Sequence, residues 1–190
     1  MRITHYSEVA PELIEVCKSM VDHIPTDSHG VPFAHWERTP ERLARYLTHL
    51  GRKDGYDRWT TFPVQGPQSM VVVPNIPFWS ACSHHLLPFV GTASVGYVPH
   101  HKIIGLSKIP LLVRSIAKGF WVQEDLTQAI IDTLDDLVEA RGIAVQMRAQ
   151  HTCQLLDVGP PIPWMVTTAL DGVMLHNPSA KQEFLEVCRG

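Results

Sequence analysis

What the sequence lacks narrows its class first. No apolar run approaches the roughly 18 residues that a membrane-spanning helix needs. There is no excess of basic charge: 16 lysines and arginines stand against 19 aspartates and glutamates, a formal net charge of −3. Nucleic acid is therefore not expected as a partner. The four cysteines (Cys17, Cys82, Cys153 and Cys188) are too few and too scattered for a disulfide framework. The opening Met1-Arg2-Ile3-Thr4-His5 runs into polar and acidic residues, so no secretory signal is expected. No internal repeat and no low-complexity tract is present. These absences predict a soluble, cytoplasmic protein with no membrane partner.

What remains is ordinary globular material. Hydrophobic residues make up 45% of the 190 positions and charged residues 18%, enough apolar surface for a packed core. The length favours one main domain with an added segment. We expect a helical N-terminal extension over residues 1–66 and the main domain over 67–190.

The extension shows helical spacing from Val9 to Ile24, with Leu13, Val16, Cys17, Met20 and Val21 on one side. Residues 25–32 read as a loop. A second helix is expected from Thr39, with Thr39 as N-cap, Pro40 at the first helical position, and Leu43, Tyr46, Leu47 and Leu50 as its buried stripe.

The main domain reads strand, strand, helix, helix, strand, strand. The strands are expected over 69–74, 89–98, 143–150 and 165–175, and the helices over 107–118 and 123–141. Phe89, Gly91, Ala93, Val95 and Tyr97 alternate onto one face of the second strand. Leu126, Ile130, Leu134, Leu137 and Val138 line one side of the second helix, and Gly142 is placed to end it. Residues 181–188 can form a short C-terminal helix. The simplest arrangement is α+β: a four-stranded antiparallel sheet with two helices on one face. Its two open edges would need cover, and other copies of the chain could supply it.

The sharpest chemical signal is Cys82-Ser83-His84-His85, followed about 70 residues later by His151-Thr152-Cys153. Thiolate and imidazole are the ligands of tetrahedral zinc. Cys82 and His85, three apart, suit a turn closing on one ion. His151 and Cys153, two apart on a segment expected to be extended, are expected to point the same way, on the face of Val145, Met147 and Ala149. The plainer reading is that a lone cysteine is a small core residue and a histidine pair a surface accident, as His100-His101 is read here. Spacing alone leaves open which of His84, His85 and His151 would be ligands.

The stretch from Val73 to Gly91, containing Pro77-Phe78-Trp79-Ser80-Ala81-Cys82-Ser83-His84-His85, resembles the zinc-site segment of the GTP cyclohydrolase I family. Further blocks follow in the family's order: Gly96-Tyr97-Val98-Pro99, Ile104-Gly105-Leu106-Ser107-Lys108, Val122-Gln123-Glu124-Asp125-Leu126-Thr127, and His151-Thr152-Cys153. Thr39 to Ala44 and Glu183 to Leu185 are similar to its outer ends, so the resemblance spans roughly residues 10–189.

The resemblance implies the tunnelling fold and a large homo-oligomer, a decamer in the family, with active sites between subunits. It implies Zn2+ held by Cys82, His85 and Cys153, with His84 and His151 as acid–base groups. Glu124 would anchor the guanine edge with Gln123 beside it, and Ser107 and Lys108 would form part of the phosphate site. The implied reaction is zinc-dependent opening of the imidazole ring of GTP, giving formate and dihydroneopterin triphosphate for folate or another pterin pathway. Read without the resemblance, Glu124 is a first-turn acid facing the helix dipole, Ser107 an N-cap and Lys108 a solvated charge.

Three positions depart from the family's pattern. Ser83 stands where the family has Glu, and Leu111 and Asp157 stand where it has arginines that look like triphosphate contacts. Each lost charge-assisted contact costs roughly 1.5–3 kcal/mol. A second reading follows: a divergent cyclohydrolase acting on a less phosphorylated purine or pterin. A third is a non-catalytic zinc- or ligand-binding module.

Overall fold

The computed structural model describes residues 9–24, 36–51 and 59–189. The loop expected over 25–32 lies outside the described residues. The chain divides into two compact units, residues 1–52 and 53–190. The junction anticipated after residue 66 falls inside the second unit, where strand β1 (Thr61–Pro63) pairs antiparallel with β4 (Lys102–Ile104). No helix among the described residues is long and apolar enough to cross a membrane.

The first unit holds helices α1 (Pro11–Asp22) and α2 (Thr39–Gly51). Pro11 fits the first turn of α1, where its missing N–H is no loss. The buried stripes are narrower than the spacing implies. Only Cys17 and Val21 of α1 are buried, while Val16 and Met20 are exposed. In α2 the buried positions are Pro40, Ala44 and Leu50, with Leu43, Tyr46 and Leu47 half-buried.

The second unit is built on strands β2 (Val71–Cys82), β3 (Pro88–Val98), β6 (Gly142–His151) and β7 (Met165–Leu170). These four are antiparallel neighbours in the order β2-β3-β6-β7. The two-residue β5 (Phe120–Trp121) adds a short parallel edge beside β2, making five strands in all. Helices α3 (Lys108–Ala117) and α4 (Gln123–Val138) pack on one face. They cover the odd-numbered row of β3 and β6: Phe89, Ala93, Val95, Tyr97, Ile143, Val145, Met147 and Ala149. Leu126, Ile130, Leu134 and Val138 of α4 are completely buried against that row. The one-turn helices α5 (Gln154–Asp157) and α6 (Val173–His176) and the C-terminal α7 (Pro178–Val187) complete the unit. Phe184 of α7 and Met174 of α6 pack on Ala144, covering one end of the opposite face.

The elements depart from the sequence reading in ways that have local causes. Strand β2 does not stop at Pro74 but runs on to Cys82, across an irregularity between Val73 and Ile76. Asn75 absorbs it at φ 56°, a conformation asparagine tolerates better than most residues, and its N–H donates to Ser94 Oγ. Helix α4 ends at Val138, with Glu139 in the left-handed conformation, and not at Gly142. Gly142 instead opens β6, where a Cβ would stand 2.5 Å from the Val173 amide nitrogen. Strand β7 ends at Leu170, because Gly172 turns at φ 53° and Val173 N–H donates to Arg141 O.

Candidate metal centre and active site

The Cys82 end of the site is made by the turn between β2 and β3. Leu86 N–H donates to Cys82 O at 2.8 Å, and Cys82 N–H donates to Leu87 O at 2.8 Å. Leu86 takes a positive φ to close the turn. Ser83 N–H is held by Trp121 O on β5. Cys82 is thereby buried, while Ser83, His84 and His85 face outward.

The second half comes from the end of β6. His151 is the last residue of that strand and sits directly opposite Phe89. The segment then turns and does not stay extended. Thr152 N–H and Thr152 Oγ1 both donate to Pro88 O, and Cys153 is already helical at the start of α5. This turn carries Cys153 back towards Cys82.

The donor atoms of Cys82, His85 and Cys153 lie within 4.8 Å of one another. Ligand atoms on a zinc tetrahedron with bonds near 2.3 Å are about 3.7 Å apart, so these three fit one ion with little movement. Burial raises the pKa of Cys153, and the charge and hydrogen bond of Cys82 raise it further. Two thiolates this close repel, and a shared cation is what relieves them. Three donors leave a fourth position open, as in catalytic rather than structural sites. His84 stands outside this trio, but its Nδ1 is 3.7 Å from Cys82 Sγ.

His151 is buried and held on two sides. Its ring stacks on Phe89 with centroids 4.4 Å apart and planes 4° from parallel. Its Nε2 lies 2.9 Å from Gln123 Oε1. Burial lowers its pKa, an effect that the nearby Glu124 carboxylate partly opposes. Glu124 is exposed in the first turn of α4, whereas Gln123 turns its amide inward towards His151. Next to Cys153, Gln154 Oε1 is buried with no hydrogen-bond partner among the described residues.

Ser107 and Lys108 are not brought to this end. They open α3 close to Ile104, whose N–H donates to Tyr97 Oη. Tyr97 and Phe89 are eight residues apart on β3, a separation of about 25 Å at strand spacing. Leu111 is half-buried on α3, and Asp157 is exposed at the end of α5. Arg114, also on α3, donates from Nε to Pro77 O at 3.3 Å. Sequence reasoning missed Phe89, Thr127 and Thr167 as neighbours of the site. Only the pairing of β3, β6 and β7 reveals them.

Sheet order and cluster define the class: an α+β protein of the ββααββ tunnelling type, carrying a Cys–His–Cys site of the kind that holds a metal with one position open. Residues 24–189 match the profile of the family described as GTP cyclohydrolase I. The GTP cyclohydrolase 1 of Gloeobacter violaceus is 38% identical over 157 residues, 80% of this chain and 73% of that protein. That of Aquifex aeolicus is 39% identical over 155 residues, covering 81% and 84%. That of Campylobacter jejuni is 42% identical over 119 residues, covering 62% and 63%. The chain belongs to the GTP cyclohydrolase I family.

Proposed function

We propose that this protein is a zinc-dependent cyclohydrolase that opens the imidazole ring of GTP, releasing formate and forming dihydroneopterin triphosphate. The observation that carries the reading is the three-donor cluster with two histidines and a carboxylate around it, in a chain of this family. Cys82, His85 and Cys153 hold the zinc. When bound, it supplies a water acidified towards neutral pH and a Lewis-acid contact.

The other side chains position the substrate and move protons. Glu124 accepts two N–H hydrogen bonds from the guanine edge, a charge-assisted pairing that fixes the ring in place. His84, exposed beside Cys82, exchanges a proton with the ring nitrogen as the C–N bond breaks. His151, neutral because it is buried, works from the other side. Ser107 and Lys108 bind phosphate. They open α3 near Ile104, towards the opposite end of β3 from Cys82 and Cys153, which supports their serving the site of a neighbouring copy. This supports a large homo-oligomer, a decamer as in the family, with shared sites. A nucleotide substrate and thiol ligands that must stay reduced fit the cytoplasm.

A second reading has its own observation. Asp157 is exposed on α5, within one helical turn of Cys153, where it repels phosphate, and Leu111 offers no charge. A less phosphorylated purine would then be preferred. The test compares GTP, GMP, guanosine and guanine with zinc-loaded protein, following formate and new products by mass spectrometry. Formate from GTP with dihydroneopterin triphosphate is the expected result. Turnover confined to the smaller substrates would establish the second reading, and ring opening of none would leave a non-catalytic binding module.

A further inference from the structure

The proton on a neutral histidine sits on whichever nitrogen its neighbours dictate. Around His151 the dictating group is Gln123, which is only 1% exposed. Its side-chain nitrogen faces three acceptors: Met147 O at 3.4 Å, Met165 O at 3.3 Å and Thr167 Oγ1 at 3.1 Å. Two of these are backbone carbonyls, which can only accept. Turning the amide over would set its oxygen against both. The nitrogen end must therefore face β6 and β7, and Oε1 must face His151.

An amide oxygen can only accept, so the 2.9 Å contact requires the hydrogen on His151 Nε2. Nδ1 is then the lone-pair nitrogen. The threonines close the argument. Thr127 Oγ1 is 2.7 Å from Gln123 O, a backbone carbonyl, so its one hydrogen is donated there. The 2.7 Å contact between Thr127 and Thr167 can then run only from Thr167 to Thr127. This leaves the Thr167 oxygen to accept from the Gln123 amide. One direction of donation satisfies every group, and the stacked ring of Phe89 restrains the remaining rotation of His151.

We infer that Gln123, anchored by the carbonyls of Met147 and Met165 and by Thr167, is a positioning residue that holds the hydrogen of His151 on Nε2 and fixes the orientation of its ring. The inference rests on the reading of His151 as an acid–base group. It predicts which nitrogen begins the reaction without a hydrogen, and it assigns a role to β7, a strand otherwise remote from the metal ligands.

The tautomer is read directly by neutron diffraction, or by solid-state nitrogen NMR of histidine-labelled, zinc-loaded protein. The expected state has the hydrogen on Nε2 of His151, and a hydrogen on Nδ1 would overturn the inference without any variant. Gln123→Met removes the amide at similar volume. It should lower kcat for GTP by roughly 10-fold, with zinc content little changed and with both tautomers now present. A Gln123→Met protein with a pure Nε2–H signal would also overturn it. His151→Ala separates the two layers: full activity there would sink the acid–base reading, whatever the tautomer.

Discussion

Cysteine and histidine do different work at this site, and single substitutions should separate them. Cys153 is half-buried, and burial together with the neighbouring Cys82 raises its pKa. Cys153→Ala removes one of three donors, and it should lose most of its zinc and nearly all turnover. His84 touches the Cys82 sulfur without joining the trio. His84→Ala should keep its zinc while turnover drops by roughly 10²- to 10⁴-fold, the usual scale for a lost proton-transfer group. Metal analysis beside steady-state rates decides the matter. A zinc-replete Cys153→Ala protein would remove Cys153 from the ligand set, and an active His84→Ala protein would remove His84 from the chemistry. The pairing of Cys82-x-x-His85 with His151-x-Cys153 was legible because metal ligands must be particular residue types at short spacing. Spacing alone left open which histidine joins the cysteines, and only the resemblance to the family pointed to His85. That choice depends on Leu86 closing the turn at positive φ and on Thr152 bending the chain after β6.

Elements whose burial follows one period could be read from the sequence, while their ends were set by neighbours far along the chain. Strand β3 is recovered to within one residue and α4 from its first residue, though α4 stops three residues short of the expected end. Strand β2 contains prolines at 74 and 77 and a bulge at Asn75, so its pattern breaks there, and its pairing with β3 resumes at Ile76 in a shifted register. Gly142 looked like a helix stop because glycine so often is one. Its actual constraint is the backbone of residues 171–174, which approaches too closely for any side chain. The left-handed residue that ends α4 is Glu139, which has a Cβ to strain. Two substitutions test this division. Gly142→Ala should destabilise the protein by about 1–3 kcal/mol, because backbone must move to admit the methyl. Glu139→Gly should be neutral or raise the melting temperature, since the ion pair with Lys102 that it loses lies at the surface. Thermal denaturation of the two variants is enough. A harmless Gly142→Ala would mean that the turn before α6 yields easily, and a strongly destabilising Glu139→Gly would mean that the left-handed residue is held by more than its backbone.

At the scale of the whole molecule, one chain carries the parts of a site but not in one place. The metal donors, His151 and Glu124 gather at one end of β3 and β6, while Ser107 and Lys108 open α3 near Tyr97 at the other end. If Ser107 and Lys108 bind the substrate's phosphates as proposed, a nucleotide is too short to span about 25 Å of strand within one chain, and a complete site would join the two ends of different copies. The sheet is suited to supply them. Its β7 edge has no partner strand among the described residues, and Trp79, Val90 and Val166 expose apolar surface on the face that α7 leaves uncovered. Buried Gln154 Oε1, beside Cys153, also needs a hydrogen-bond donor from beyond the described residues. The prediction is complementation between two inactive variants. Cys153→Ala spoils the metal end and Lys108→Ala the phosphate end, and each homo-oligomer should be nearly inactive. If sites are shared between copies, an equal mixture dissociated and reassembled places an intact metal end against an intact phosphate end in about one quarter of the sites. Activity should rise to that fraction of the wild-type rate, with light scattering reporting an assembly of many chains. If the mixture stays as inactive as its components, or if a monomer turns over GTP at the full rate, then each chain builds its own site, and the placement of Ser107 and Lys108 would have to be explained by a phosphate contact made elsewhere.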